Sequence, residues 1–313
     1  MSSNPERKVK VIYNPAARGG KSKKIVPKFK NFLDSHEIEY SFVETEHPLH
    51  AIELAESSKK EGFNVVASLG GDGTAHEVAN GAIRAGVTYS VIPAGSGNDF
   101  AGALGIKGKW EDGADTLING IAKKISITKA NDRYSINLLD GGFGGDIAKS
   151  SQNHLKWMTG SMKYSLLTVG LLTRHKPYKA MVTLDGKEKE YKLNLIVAGF
   201  GQTFGSGMNI LPDARFTHDK MHIAIIHDVG RFKFLRIFPK VFSAKHVNET
   251  KYVEIIQGSE LIIDPLEDHR VFRAESEGEL FSEGRLDVTT VIDGLEVLIP
   301  RTWDLNNVSL KVK

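Results

Sequence analysis

The sequence contains no cysteine, which excludes disulfides, thiolate metal sites and cysteine nucleophiles and is compatible with a reducing compartment. It also lacks an apolar run fit to cross a bilayer. The longest charge-free stretch, Leu193 to Pro212, is 20 residues long but holds four glycines together with Asn194, Gln202 and Asn209. Membrane contact is therefore expected to be peripheral. Met1 to Lys10 carries charges with no apolar segment behind them, so no secretory signal is read there and cytoplasmic residence is the expectation. Neither sign of charge dominates: 41 lysines and arginines against 38 aspartates and glutamates leave a net +3. That balance does not point to nucleic acid as a partner.

What is present describes an ordinary globular chain. With 313 residues, 41% hydrophobic and 25% charged, it has material for one large domain or two smaller ones. Lys8 to Tyr13 alternates and ends in Asn14-Pro15, after which Ile25, Phe29, Phe32 and Leu33 recur at helical spacing. Further strands are predicted over Ile38 to Val43, Asn64 to Leu69 and Tyr89 to Ile92, with helices over Pro48 to Lys60 and Ala75 to Arg84. This is the pattern of a layered α/β domain with a parallel sheet, spanning residues 1–127, with a C-terminal segment near 296–313 as a candidate to return to it. From Ile125 onward the period becomes two, as in Val182 with Leu184, Tyr191 to Val197, and Met221 to Ile225. A second, β-rich domain is predicted over 128–295, interrupted by helices at Ser161 to Thr173 and Arg231 to about Ser243.

Glycine loops sit where the first domain's strands end, which is where open α/β sheets place ligands. Gly70-Gly71-Asp72-Gly73-Thr74 puts three glycines into five residues, each costing a regular element roughly 1 kcal/mol. Close approach of the backbone to a partner is the usual reason, and at a helix start an anion such as phosphate fits. A tight structural turn is the competing reading. Asp72 would repel phosphate unless a cation intervenes, so its carboxylate suggests Mg²⁺ or a catalytic task. Two other nucleotide fingerprints fail. Gly20-Lys21-Ser22 has Pro15 where a P-loop needs glycine, and Gly95-Ser96-Gly97 has Phe100 where a dinucleotide fingerprint needs a small residue.

The ordered set Asn14-Pro15-Ala16-Ala17-Arg18-Gly19-Gly20, Gly70-Gly71-Asp72-Gly73-Thr74 with Asn80-Gly81, and Pro93-Ala94-Gly95-Ser96-Gly97-Asn98-Asp99-Phe100-Ala101 resembles the diacylglycerol kinase catalytic-domain family. Gly160 to Tyr164, Pro212-Asp213-Ala214 with Asp219, and Glu277-Gly278-Glu279 fall where that family has counterparts. The resemblance implies a lipid kinase with ATP as co-substrate and Mg²⁺ as cofactor, acting on a lipid at the inner membrane face, with a homodimer left open. It implies an ATP site from Asn14, Pro15, Ala16, Ala17, Arg18, Thr45, Gly71, Asp72, Gly73, Thr74, Ala75, His76, Glu77 and Ser96. Asp72 and Asp99 would organise Mg²⁺ and phosphates, and Glu279 would be the proton acceptor. Asp219 would belong to a structural Mg²⁺ site, with Phe216 and Met221 supplying other ligands. The chain departs from the family pattern in having Glu277 where aspartate is usual, Lys220 where glycine is usual, and one extra residue between Ala214 and Asp219.

Phosphoryl transfer to an alcohol needs a positioned phosphate, charge neutralisation and a proton acceptor. A glutamate with an ordinary pKa of about 4.3 is ionised near neutrality and can take that proton. Glu275, Glu277 and Glu279 alternate, so a continuous strand would put all three on one face; a solvated acidic edge is the competing reading. His218 and His222 on a strand would lie about 13 Å apart, which argues for surface histidines rather than zinc ligands. Arg231 to Phe242 mixes four phenylalanines with four basic residues, the composition of a bilayer-docking helix or of a helix packed by its apolar stripe. Two other functions compete with the lipid kinase: an NAD kinase-like phosphotransferase on a soluble substrate, and a non-catalytic nucleotide- or lipid-binding regulator.

Overall fold

The computed structural model describes residues 7–16, 19–154, 170–172, 174–267 and 269–305. The chain divides into two compact units, the first running to Ile125 and resuming at Asp293, the second formed by Ser126–Ile292.

In the first unit, β1 (Lys8–Tyr13), α1 (Lys21–Asp34), β2 (Glu39–Glu44), α2 (His50–Glu56), β3 (Val65–Gly70), α3 (Asp72–Ala85), β4 (Thr88–Pro93), α4 (Asp99–Ala103) and α5 (Trp110–Asn119) alternate. The parallel sheet has the order β2-β1-β3-β4, and Val297 extends it beside Tyr89. Its core joins Val9, Val11, Phe29, Leu33, Ala67, Leu69, Ile92, Leu117 and Leu298; each large apolar side chain so buried contributes about 1.5–3 kcal/mol. The predicted stripe of α1 is the one that packs.

Two local details depart from the sequence reading. α2 is half as long as expected, because the hydroxyls of Ser57 and Ser58 turn back to the Leu54 carbonyl at 3.0 and 3.2 Å and compete with helix continuation. α3 starts three residues earlier than expected, so Asp72 lies in its first turn. Lys10 is buried in β1 yet fully engaged, its ammonium donating to the Leu54 carbonyl, Ser57 and Glu61 at 2.8, 3.0 and 2.9 Å. A buried ammonium is tolerable only with such partners. Gly81 lets α3 approach α2, since a Cβ there would stand 2.3 Å from the Ile52 carbonyl oxygen.

β5 (Ile121–Ala130) carries the chain into the second unit, which comprises β6 (Arg133–Ser135), β7 (Leu138–Gly142), α6 (Phe143–His154), β8 (Tyr178–Leu184), β9 (Lys187–Gly199), β10 (Thr203–Phe204), β11 (Met208–Asn209), β12 (Met221–His227), β13 (Val253–Gly258), β14 (Glu260–Pro265), β15 (Arg273–Ser276), β16 (Glu279–Glu283) and the first part of β17 (Leu286–Ile299). β9 is its spine: Lys187–Leu193 pairs with β8, and Leu195–Gly199 lies between β7 and β12. Antiparallel pairing then continues through β15 to β16. The core gathers Leu138, Phe143, Val197, Ile226, Phe234 and Ile237. α6 was not anticipated from the sequence. Most of the predicted helix at Ser161 to Thr173, and the motif Gly160 to Tyr164, lie outside the described residues. The helix that begins at Arg231 is α-helical only to Ile237 and continues as a tighter 3₁₀ turn over Phe238–Ser243, where Pro239 supplies no N–H.

Candidate active site

The parallel sheet sets up the first group of residues. Because β1 has β2 on one side and β3 on the other, the strand order reverses there, and ligands of open α/β sheets bind outside the carboxyl ends of strands at such a point. Asn14, Pro15 and Ala16 follow β1, Thr45 follows β2, Gly71 follows β3 and Ser96 follows β4. The backbone N–H of Thr45 donates to the Tyr13 carbonyl at 2.9 Å, joining the first two of these ends. Asn14 folds its own loop, its Oδ1 accepting the Ala16 N–H at 2.9 Å while its carbonyl accepts the Ser22 hydroxyl at 2.6 Å. Ala17 and Arg18 lie outside the described residues. Gly73, Thr74 and Glu77 are half-buried in the first turns of α3, whereas Ala75 and His76 are buried.

The two later glycine loops touch each other. A Cβ on Gly95 would stand 2.4 Å from the Gly71 Cα and 2.8 Å from Asn98 Oδ1, so at this point the partner of the glycine backbone is the other loop. Asn98 adopts φ 60°, which asparagine tolerates better than most residues, and clasps Gly95 by accepting its N–H at 2.9 Å and donating to its carbonyl at 3.1 Å. Asp72 supplies the tie between the loops: its Oδ2 accepts the Asn98 N–H at 2.8 Å. Burial pushes the Asp72 carboxyl above the usual range, and N–H groups of Asn98, Phe100 and Asp99 offset part of that push. Asp72 is half-buried, at the start of α3, and directed to the start of α4. Asp99 occupies the first turn of α4 and is half-buried.

In the second unit the acidic segment is not one strand. Ser276 pairs with Glu279, leaving Glu277 and Gly278 as a two-residue turn with φ 54° and 82°, the signature of a type I′ hairpin. Glu275 lies on β15, Glu277 on the turn and Glu279 at the start of β16. Since Glu279 shares a face with Ser276, its cross-strand partner, it points away from the face of Glu275. The expected single acidic face is therefore corrected; a Glu-Gly pair makes the chain reverse before alternation can continue. Glu279 is half-buried, whereas Glu275 is buried opposite Asp140 of β7. Asp140 was missed, although a carboxylate within Leu138-Leu139-Asp140-Gly141-Gly142-Phe143 is itself a signal, for such apolar surroundings rarely accept one.

The remaining candidates fall elsewhere in the second unit. Asp219 is exposed in the turn before β12, the carbonyl of Phe216 accepts the Ser126 N–H at 2.8 Å, and Met221 pairs with Gly258. Among the described residues no three His, Asp or Glu side chains converge as a metal-holding group. The histidines depart from expectation. His218 precedes β12 and folds back over it, so its Nδ1 lies 2.8 Å from Nε2 of His222, which is buried and also meets the Gln257 amide nitrogen at 2.9 Å. Burial, with His218 beside it, pushes His222 down to about 4. A cavity of about 470 Å³ opens among Leu172, His175, Lys176, Asn194, Arg231 and Phe234.

A parallel α/β unit with glycine loops at its carboxyl edge, joined in one chain to a β-rich unit with an acidic hairpin, is the class of a two-unit phosphotransferase. Residues 8–130 match the diacylglycerol kinase catalytic domain and residues 142–299 match the YegS C-terminal NAD kinase beta sandwich-like domain. The chain belongs to the diacylglycerol kinase catalytic-domain family and is an ATP-dependent lipid kinase. A diacylglycerol kinase of Bacillus subtilis (strain 168) is 29% identical over 248 residues, 78% of this chain and 81% of that one. A diacylglycerol kinase of Staphylococcus aureus (strain MRSA252) is 26% identical over 249 residues, 79% of each chain. The solved structure of a diacylglycerol kinase from Bacillus anthracis str. Sterne shares the fold with a TM-score of 0.69 at 15% identity, covering 95% of this chain and 98% of that one.

Proposed function

We propose that this kinase transfers the γ-phosphate of ATP to the hydroxyl of diacylglycerol or a closely related lipid, taken up at a membrane surface. The observation that carries this reading is the match of both units, in order, to relatives so named over about four fifths of each chain. The glycine loops at the carboxyl edge of the sheet are the proposed ATP site: N–H groups at the start of α3 face any anion placed there, and the helix dipole adds to their pull. Hard carboxylate oxygens from Asp72 and Asp99 suit Mg²⁺, which commonly takes one or two carboxylates with substrate phosphates. When bound, the ion neutralises charge on the phosphates. Glu279, half-buried at the hairpin, is the proposed proton acceptor from the lipid hydroxyl. The Asp219, Phe216 and Met221 set offers one exposed carboxylate, and no step depends on it.

The membrane surface is proposed to be met by the segment that starts at Arg231. Phe234, Ile237 and Val241 pack into the core, whereas Phe232 is 85% exposed with Arg231 and Arg236 exposed beside it. The buried side accounts for the reading of a helix packed by its apolar stripe, and the exposed side is what supports bilayer docking. Lys233 is less available, being paired with Glu249 at 2.8 Å; Lys240 shares that partner. Incubation of the purified protein with labelled ATP and Mg²⁺ against diacylglycerol, sphingoid base, phosphatidylglycerol and NAD tests the reading. Phosphate on diacylglycerol is the expected result. Transfer to NAD alone, or ATP binding without transfer to any acceptor, would replace it by one of the two competing functions.

A further inference from the structure

Asp140 and Glu275 face each other directly across the β7–β15 pair, and both are at least nine-tenths buried. Among the described residues no cation is paired with either. Glu275 Oε2 accepts the N–H of Gly278 at 2.5 Å, so this carboxylate holds the turn whose next residue is Glu279. On its other side Asp140 has no room to retreat: Oδ1 lies 1.7 Å from where a Cβ on Gly144 would stand, in the first turn of α6. Phe272 closes in over Gly141, 2.5 Å from the equivalent point.

We propose that Asp140 and Glu275 share one proton and, through the Gly278 N–H, position the Glu277–Gly278 turn and with it Glu279. The inference rests on the assignment of Glu279 as proton acceptor. Two buried carboxyls this close cannot both ionise cheaply, and a retained proton turns their repulsion into a hydrogen bond. The proton resides on Asp140. Glu275 has a backbone N–H to stabilise its charge, whereas Asp140, raised well above the usual range by burial and then by Glu275, has none and also feels Glu277. Among the described residues the neighbouring elements supply no counter-charge: β9 presents Val197 opposite Asp140. On α6, Asp146 is engaged with Arg273 and Arg270 at 3.5 and 3.9 Å, and Lys149 with Glu283 at 3.9 Å.

A carboxyl whose folded pKa exceeds its unfolded value of about 4 binds more protons folded than unfolded between the two. Stability therefore falls as pH rises through that window, and above the folded pKa two buried charges oppose each other. With α6 blocking one side, the hairpin is the side that gives way. Asparagine at 140 would donate to Glu275 as the protonated acid does but could not lose its proton. Glu275 and Asp140 are thus positioning residues, acting through the turn.

The test uses full-length protein and four variants, Asp140→Asn, Asp140→Ala, Glu275→Gln and Glu279→Gln, with kcat and KM measured from pH 6 to 10 and the Gly278 amide followed by ¹⁵N NMR. Wild type is expected to lose kcat on the alkaline side while the Gly278 amide shifts with the same midpoint. Asp140→Asn should retain kcat within about threefold near pH 7 and show neither change. Asp140→Ala should lose tenfold or more in kcat with the KM for ATP unmoved. An alkaline loss in Asp140→Asn identical to wild type, or an amide that titrates identically in both, overturns the proposal. If Glu279→Gln is fully active while the amide titration vanishes in Asp140→Asn, the proton-sharing pair stands and the Glu279 assignment falls. If Glu279→Gln is inactive and Asp140→Asn behaves as wild type, the pair falls and the assignment stands.

Discussion

Asp72 in the first unit and Asp140 in the second each sit beside the start of a helix, and in each case burial raises the carboxyl pKa. They meet the cost of burial by different means. Asp72 is wrapped by N–H groups at the start of α4, which favour its ionised form and offset part of the cost of burial. Asp140 meets a second carboxyl across a β-ladder, so it keeps its proton and donates it. The comparison teaches that burial alone does not fix the charge of an acid; the neighbouring dipoles do. In the roles proposed for them, one carboxylate would act as a charge and the other, as a carboxylic acid, would act as a hydrogen-bond donor.

The same substitution should separate them. Asp72→Asn is expected to abolish phosphoryl transfer with the fold intact, because asparagine still accepts the Asn98 N–H but brings no negative charge to the Mg²⁺ proposed to sit at the phosphates. The loss of a charge-assisted bond should cost about 1 kcal/mol of stability, read from thermal melts. Near-normal turnover at saturating Mg²⁺ would remove Asp72 from the reacting phosphates and erase the contrast with Asp140→Asn.

Next in size is Glu279→Gln, expected to lower kcat by roughly 10²–10⁴-fold with ATP binding little changed. Steady-state kinetics on the single and double glutamine variants at 277 and 279 decide whether the hairpin works through one glutamate. Loss confined to 279 sharpens the comparison. Loss confined to 277 transfers the role, and an active double variant ends the idea of a base on this hairpin.

Gly95→Ala probes the first unit without touching a charge. The added methyl would press on the Gly71 backbone and should cost about 1–3 kcal/mol, with the KM for ATP rising at least tenfold by the same assay. An unchanged KM would mean that the contact between the loops does not shape the nucleotide site.

The smallest effect is expected at the surface. Sedimentation with anionic vesicles should weaken in Phe232→Ser and in Arg236→Ala, each basic residue near a bilayer contributing about 1 kcal/mol. Lys233→Ala should change little, since Glu249 already occupies its ammonium. Equal sedimentation of wild type with neutral and anionic vesicles at low and high salt would remove the electrostatic part of membrane contact.

Much of this protein was legible in its sequence because much of it is local. Alternation over Lys8 to Tyr13, the helical spacing of Phe29 and Leu33, and glycines at strand ends report backbone preferences acting over a few residues, and these suffice for a parallel α/β region followed by a β-rich one. The ordered motifs carried the family. What the sequence could not decide are the meetings of distant segments. Gly71 with Gly95, Asp72 with the start of α4, His218 over His222, and Asp140 opposite Glu275 all depend on strand order, register and turns. The hairpin at Glu277-Gly278 is the clearest case: two residues of positive φ reverse the chain and put Glu275 and Glu279 on opposite faces, where linear alternation had placed them together. Whether a carboxyl is an anion, an acid or a solvated surface group follows from its neighbours in space, and those are fixed only when the chain has folded.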